Sequence, residues 1–574
     1  MTTDTQIPAL RAAELVKAYP GSDARAVDGL DLTIPQGIVY CLLGRNGAGK
    51  TTTIRMATTL LAPTSGELEV LGVPVDNTKE LRPLIGVALQ EVALDLWMSP
   101  VEQIRMSLAI AGWPKARRKA REDELVEQFG LSTYVNRKVG ALSGGMRRRV
   151  DVALAVAHNP QMLFLDEPSS GLDIEGKQEV WNAIRLLRSE GRTVVLTTHD
   201  MDEAVSLADE VGIVKSGRLV ASGSTQEFTR SHGYAVEVSA DSVIPEEAAG
   251  RLAEAGYALR RTDSGTLSGT LDSASAADLG ACRGPGRVER RARPRGPGGG
   301  QHRGAFHLAA RRIPGGDPVT ALSNTARLFR RYVVVGLRQP VFGFIFPIVF
   351  PVVLVIFVRS MFQRVADLPG FPLSSYTAYI APGLIMLIPM LGAGYGAGTL
   401  IDEIRSGFTD RLRLYGVSTG QIMAAKIGFE MFRILPAAVI VIGLLAFLDA
   451  PLRSGLLTGV FLVLVMFLWS AAYSSLFYLV ALRTLNPQAP VAMLPLALPV
   501  LFVSQALMPS VFLSDWLRIS INANPFSHIV SAASTIMYGD FDAMLVVKGV
   551  LVAIGMFALL QIPIHLVIRR KIGK

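Results

Sequence analysis

Over residues 13–222, apolar runs of four to six residues alternate with longer stretches whose apolar positions recur at helical spacing. That is the βαβ rhythm of a parallel sheet covered on both faces, since a strand buried on both sides needs a continuous apolar run. Three runs, 38–43, 162–165 and 193–198, each lead directly into a polar motif. The motifs therefore fall at the carboxyl edge of the sheet, where open α/β sheets bind ligands. Beyond Val319 the pattern changes to long uncharged stretches over 341–358, 376–401, 434–448, 454–482, 484–514 and 549–568. A bilayer core takes about 20 apolar residues per helix, so these predict an all-α membrane domain of about six transmembrane helices. The stretch 434–448 is short. It spans only by extending back past Arg433, with that side chain snorkelling to the interface.

Composition sharpens this division. A chain of 574 residues exceeds what one core supports, and its 18% charged residues fall below the roughly 25% of soluble domains. The deficit lies in the last 235 residues, whereas the first 230 have the make-up of an ordinary soluble domain. Between them, 282–316 contains 22 Arg, Gly or Pro among 35 residues, too little apolar content to bury, and is predicted to be a disordered linker. The organisation expected is an α/β nucleotide-binding domain over 1–230, a small accessory subdomain over 231–281, the linker over 282–318 and the membrane domain over 319–574.

The excess of 57 Lys and Arg over 48 Asp and Glu invites a nucleic-acid reading. Placement argues against it. The basic tract offers only Phe306 for base stacking, and much of the remaining charge sits at membrane edges. With the N-terminus inside, inner segments carry Arg327, Arg330, Arg331, Arg338, Arg405, Arg411 and Arg413 among others, while outer ones carry only Arg359, Arg364, Arg453, Arg518 and Lys548. This fits the positive-inside rule and puts both termini in the cytoplasm. Residues 1–16 lack the basic start and apolar core of a cleaved signal peptide. Arg327, Arg331 and Arg338 share one helical face, either an interfacial helix on the inner leaflet or plain flanking charge. Two cysteines provide neither a disulfide framework nor metal-ligand spacing.

The chemistry begins at Gly44, where GRNGAGKT (44–51) matches G-x4-G-K-[ST] between an apolar strand and a helical pattern. Gly44, Gly47 and Gly49 let successive backbone N–H groups turn toward a phosphate, and the helix N-terminus adds partial positive charge. Lys50 is placed to reach the β and γ phosphates, with the Thr51 hydroxyl on Mg2+. Phosphoryl transfer also needs a carboxylate for the metal and a group that positions the attacking water. The run 163–167 ends an apolar strand in Asp166, suited to the metal, and Glu167, suited to the water as a general base.

With these motifs in order, residues 1–230 resemble the ATP-binding cassette family. Leu142-Ser143-Gly144-Gly145-Met146 is similar to its signature motif, Gln90 to the Q-loop, Ser170-Gly171-Leu172-Asp173 to the D-loop, His199 to the switch histidine and Tyr19 to the residue that stacks on adenine. The resemblance implies ATP and Mg2+ as cofactors. It also implies ATP contacts from Tyr19, Asn46 and Thr52 beside the loop residues above, a metal shell of Thr51, Gln90 and Asp166, and catalytic roles for Glu167 and His199. Ser143, Gly144 and Gly145 would act in trans, with Asp173 at the D-loop, so two copies of a one-cassette chain are expected.

The runs LSGGMRRRVDVALA and DEPSSGLD look most like daunorubicin-resistance-type cassettes, and the membrane half looks like their ABC-2 type permease partners. Residues 402–412, with Glu403, Arg405 and Gly407, resemble the ABC-2 cytoplasmic loop that touches the cassette, and Asn524-Pro525 also fits that family. Tyr415-Gly416 departs from it where relatives commonly carry Pro. The implied protein is a homodimeric exporter in the inner (plasma) membrane, in contact with lipid and moving amphipathic drugs or secondary metabolites, with lipids or lipid-linked sugars as the alternative. Few ionisable residues in the predicted spans favour an amphipathic cargo over a charged one.

Overall fold

The computed structural model describes residues 7–22, 24–225, 234–238, 259–261, 267–271, 321–448, 450, 452, 456–538 and 542–571. The predicted linker 282–318, with Phe306, and most of 231–281 lie outside the described residues. In chain order the soluble part runs β1 (Leu10–Ala18), β2 (Arg25–Ile34), β3 (Val39–Leu43), α1 (Lys50–Ala57), β4 (Ser65–Val70), β5 (Ile85–Ala88), α2 (Pro100–Ile110), α3 (Gly144–Val156), β6 (Met162–Asp166), α4 (Ile174–Ser189), β7 (Thr193–Thr198), β8 (Glu210–Lys215) and β9 (Arg218–Ser224). The apolar part runs α5 (Ala321–Arg338), α6 (Phe346–Phe362), α7 (Tyr376–Arg405), α8 (Phe408–Leu414), α9 (Thr419–Phe447), α10 (Leu456–Thr484), α11 (Pro525–Met537) and α12 (Ala543–Lys571). The chain divides into two compact units: residues 1–53, 64–72 and 184–315, and residues 54–63, 73–183 and 316–574.

In the first unit β3 pairs in parallel with both β7 and β8. Every residue of β3 and of β7 is buried, which is why both segments are continuous apolar runs rather than alternating ones. β9 closes that edge antiparallel to β8. A separate antiparallel group has β1 between β2 and β4, and here alternation returns: Leu30, Leu32 and Ile34 are buried while Asp31 and Thr33 are exposed. Short strands at Tyr234–Val238, Leu259–Arg261 and Leu267–Leu271 form a further antiparallel sheet.

In the second unit β5 and β6 pair in parallel and are fully buried. α2 starts in a capping box, with Ser99 Oγ accepting from Glu102 N (3.4 Å) and Glu102 Oε2 from Ser99 N (2.8 Å). The same unit holds the apolar helices. Among the described residues five are long and apolar enough to cross a membrane: Phe346–Asp367, Tyr376–Arg405, Thr419–Phe447, Leu457–Thr484 and Ala543–Ile568. Tyr376–Arg405 is 89% buried along its apolar window and forms the centre of the bundle, whereas Ala543–Ile568 is only 11% buried and turns apolar side chains such as Leu551 and Ile562 outward, as a lipid-facing helix does.

Two expectations about the spans change. Residues 484–514, read as one span, form a shorter apolar helical segment, Gln488–Phe502, that continues as irregular turns. Pro490, Pro495 and Pro499 each remove a backbone donor from it, and Pro487 precedes it. Asn524 compensates, donating through Nδ2 to the Val500 (2.8 Å) and Val503 (2.6 Å) carbonyls while its Oδ1 caps α11 at Phe526 N (3.0 Å). Second, the short stretch 434–448 does extend backward, but all the way to Thr419, and Arg433 does not snorkel. Its side chain is 1% exposed, paired with Glu430 and donating to the Gly392 carbonyl at 2.5 Å. The bundle interior thus holds charges that sequence placed at its edge.

Candidate functional site

In the first unit the chain leaves β3 at Leu43, turns through 44–49 and enters α1 at Lys50. Gly47 and Gly49 have φ of +81° and +103°, a region L side chains rarely enter, and a Cβ on Gly49 would collide with the Ala26 carbonyl oxygen. Only glycine permits this turn. Lys50 is 4% exposed, and its Nζ donates to the carbonyls of Gly44 (2.6 Å) and Arg45 (3.2 Å), so the lysine bridges the loop that precedes it. Gly44 N donates to Thr198 O at 3.2 Å, which brings the start of the loop to the end of β7, where exposed His199 follows. Tyr19 Oη stands 3.4 Å from Thr52 Oγ1, and the residue is 41% exposed. Asn46 is exposed and Thr51 partly so. A glycine-rich loop that leads from a strand into a helix N-terminus, with a lysine held against it, is the arrangement that holds phosphate.

In the second unit β6 ends in Asp166, 1% exposed, and Glu167, 7% exposed, follows it. Glu167 has φ of +46°, a conformation costly for a non-glycine residue and concentrated at functional sites. Gln90 Nε2 donates to Glu167 Oε2 at 3.4 Å, bringing two predicted site residues together. Ser143 is exposed and caps α3, accepting from Met146 N at 3.3 Å. Gly144 is exposed and Gly145 partly so. Exposed Asp173 caps α4, accepting from Gly176 N at 2.8 Å.

The loop after the central membrane helix lies in this same unit. Glu403 is buried, 3.0 Å from Lys426 Nζ and accepting from Arg331 Nη1 at 2.6 Å. Arg405 is exposed and donates to Leu485 O at 2.8 Å. Gly407, with φ of +73°, turns the chain from α7 into α8, and a Cβ there would rest 3.4 Å from Leu89 and 3.6 Å from Ala93. Asp410 pairs with Arg55 at 3.0 Å, and Arg411 pairs with buried Asp151 on α3. Tyr415, at the departure noted above, donates to Leu154 O at 2.8 Å.

Sequence reading missed the partners of these groups. Arg331 is 5% exposed and sits 2.7 Å from Asp95, so at that position the basic face of α5 meets carboxylates. Arg338 grips both oxygens of Glu102, at 2.8 and 2.5 Å. Asp151, a lone carboxylate inside the run 150–156, carried the legible signal: a charge on an apolar helix face needs a partner.

The Arg338 hydrogen bonds hold the Glu102 carboxyl at about 2, below its ordinary 4.5. A lowered carboxyl stabilises the fold above its unfolded value and loses that contribution as pH falls through the folded one. Arg338→Gln is therefore expected to lower the melting temperature at pH 7, with the deficit closing between about pH 4.5 and 2, as thermal unfolding in detergent would show.

Two family models match the chain, ABC transporter over residues 27–170 and ABC-2 type transporter over residues 324–538. The daunorubicin/doxorubicin resistance ATP-binding protein DrrA of Streptomyces peucetius is 43% identical over 226 residues, 39% of this chain and 68% of that protein. This chain belongs to the ATP-binding cassette transporter family. A Nod factor export ATP-binding protein I from Cupriavidus metallidurans is 38% identical over 226 residues, 39% of this chain and 75% of its own. Among solved structures, a dimeric ATP-binding cassette bound to ADP and Pi aligns with 38% of this chain and 98% of its own, at 25% identity and a TM-score of 0.35. The transporter is of the ABC-2 type, with its ATPase and multi-pass membrane parts in one polypeptide. Its cassette binds ATP and hydrolyses it to drive transport.

Proposed function

We propose that this transporter is an exporter of amphipathic drugs or secondary metabolites, working as a homodimer in the inner (plasma) membrane with its ATPase domain and both termini in the cytoplasm. The observation that carries the reading is the buried ion pair between Arg411, after the central membrane helix, and Asp151, on the helix that begins at the signature glycines. A membrane half tied by charge to that helix can feel the cassette close. The relatives named for daunorubicin resistance support the cargo class.

In this reading the ATPase domain spans 1–230, the accessory subdomain 231–281, the linker 282–318 and the membrane domain 319–574. Gly44, Asn46, Gly47, Gly49, Lys50, Thr51 and Thr52 hold the phosphates and Tyr19 stacks on the adenine. Ser143 and Gly144, exposed at the start of α3, and partly exposed Gly145 face the nucleotide of the second copy beside Asp173. Oxygen donors on Thr51, Gln90 and Asp166 suit Mg2+, which prefers hard oxygen ligands and stabilises phosphoryl charge. Glu167 positions and deprotonates the attacking water, His199 assists at the γ-phosphate, and Glu403, Arg405 and Gly407 form the coupling loop.

The test is ATPase activity of the purified chain in detergent with and without an anthracycline. Turnover that the drug raises supports the reading, and turnover indifferent to amphipathic compounds counts against this cargo class.

A further inference from the structure

We infer that Arg148 is a positioning residue for ATP hydrolysis, and that a shared carboxylate, Asp151, ties its position to Arg411 of the membrane half. The inference rests on the exporter reading and names the side chains through which the coupling loop reaches the hydrolytic carboxylate.

Arg148 lies one turn into α3 and is 3% exposed. Its guanidinium donates to the carbonyl oxygens of Asp166 (2.6 Å), Pro168 (3.0 Å) and Leu89 (2.5 Å), and to Asp151 Oδ2 (3.0 Å). Asp166 and Pro168 flank Glu167 on either side. Leu89 precedes Gln90, the residue that donates to Glu167. One planar cation therefore fixes the backbone on both sides of the proposed base and the backbone leading to its hydrogen-bond partner. Glu167 sits in a left-handed conformation at φ +46°, which persists only where the surroundings impose it. Arg148 supplies that constraint.

The link to the membrane half is the other oxygen of the same carboxylate. Asp151 is fully buried, its Oδ2 taken by Arg148 and its Oδ1 by Arg411. Arg411 sits on α8, three residues after Phe408, whose ring covers the Arg331 guanidinium at 4.0 Å. Two guanidiniums on one desolvated carboxylate cannot move independently. Displacement of α8 alters the pull of Asp151 on Arg148, and with it the three carbonyls that frame Glu167 and Gln90. Lysine cannot replace Arg148, since it presents a point charge where a planar fork is needed to span separate acceptors, and at Arg411 it puts a flexible point charge in place of the rigid guanidinium that meets Asp151 Oδ1.

The experiment uses the full chain in detergent and reads kcat and KM for ATP together with the thermal midpoint. Arg148→Lys keeps the charge on Asp151 but not the fork, and is expected to lower kcat roughly tenfold to a hundredfold, the scale of an ångström-level misplacement. KM stays close to the parent, because phosphate binding is untouched, whereas the thermal midpoint falls as buried carbonyl oxygens lose their donor. Arg411→Lys is expected to lower kcat by a smaller factor, and the Arg148→Lys/Arg411→Lys double variant to be no slower than Arg148→Lys alone, as expected when one residue acts through the other. Arg411→Lys stands alone as a test if Arg148→Lys does not fold: a parental kcat overturns the inference. So does an Arg148→Lys protein with parental kcat, or a double variant whose losses simply multiply. A parent chain that hydrolyses no ATP would instead contradict the exporter reading itself.

Discussion

Glu167→Gln is expected to retain ATP binding while its turnover falls about a hundredfold to ten-thousandfold, the usual cost of losing a positioned base. The replacement has the same shape, so the Gln90 contact at 3.4 Å and the backbone frame from Arg148 remain. What disappears is the ability to accept a proton from water. Because the side chain is 7% exposed, replacing a buried carboxylate with an amide also reduces the desolvation cost, and the variant should fold at least as well as the parent. Steady-state phosphate release and equilibrium binding of a fluorescent ATP analogue separate the two effects. Turnover at the parental rate would remove Glu167 from the proposed role.

Lys50→Ala is expected to fail one step earlier. Lys50 Nζ is held by the Gly44 and Arg45 carbonyls at 2.6 and 3.2 Å, pointing into the loop that precedes it. A phosphate entering that loop gains a hydrogen bond to a charged donor, worth about 1.5–3 kcal/mol. At 1.4 kcal/mol per decade, its loss raises the dissociation constant for ATP by roughly tenfold to a hundredfold. Turnover at cellular ATP falls with it. The two variants are diagnostic as a pair, since one binds without hydrolysing and the other loses affinity. Unchanged ATP affinity in Lys50→Ala would count against the phosphate-loop reading.

The nucleotide side of this account was legible in sequence because its chemistry is local. Glycines at 44, 47 and 49 sit within one turn, and Asp166-Glu167 ends one apolar strand, so neighbours along the chain are neighbours in space. Apolar length likewise announced the membrane helices. The broken segment at 488–502 was not announced, because hydropathy is blind to a missing backbone donor and three prolines leave the apolar average intact. The charge pairs were hidden for a different reason. Arg411 and Asp151 are 260 residues apart, and Arg331 and Asp95 are 236 apart, so Arg331 and Arg411 read as topology charge until the fold supplied their partners. Arg433 had the same fate: expected at the interface by the charge rule, it is buried inside α9 together with Lys426 and Glu430.

Uptake of an anthracycline into proteoliposomes bearing the purified chain, with ATP supplied outside, decides whether the transporter moves this cargo. Accumulation that requires ATP is expected in the parent and is absent in Glu167→Gln. Robust ATP hydrolysis that Glu167→Gln abolishes, with no ATP-dependent accumulation of the drug, would contradict the export of this cargo.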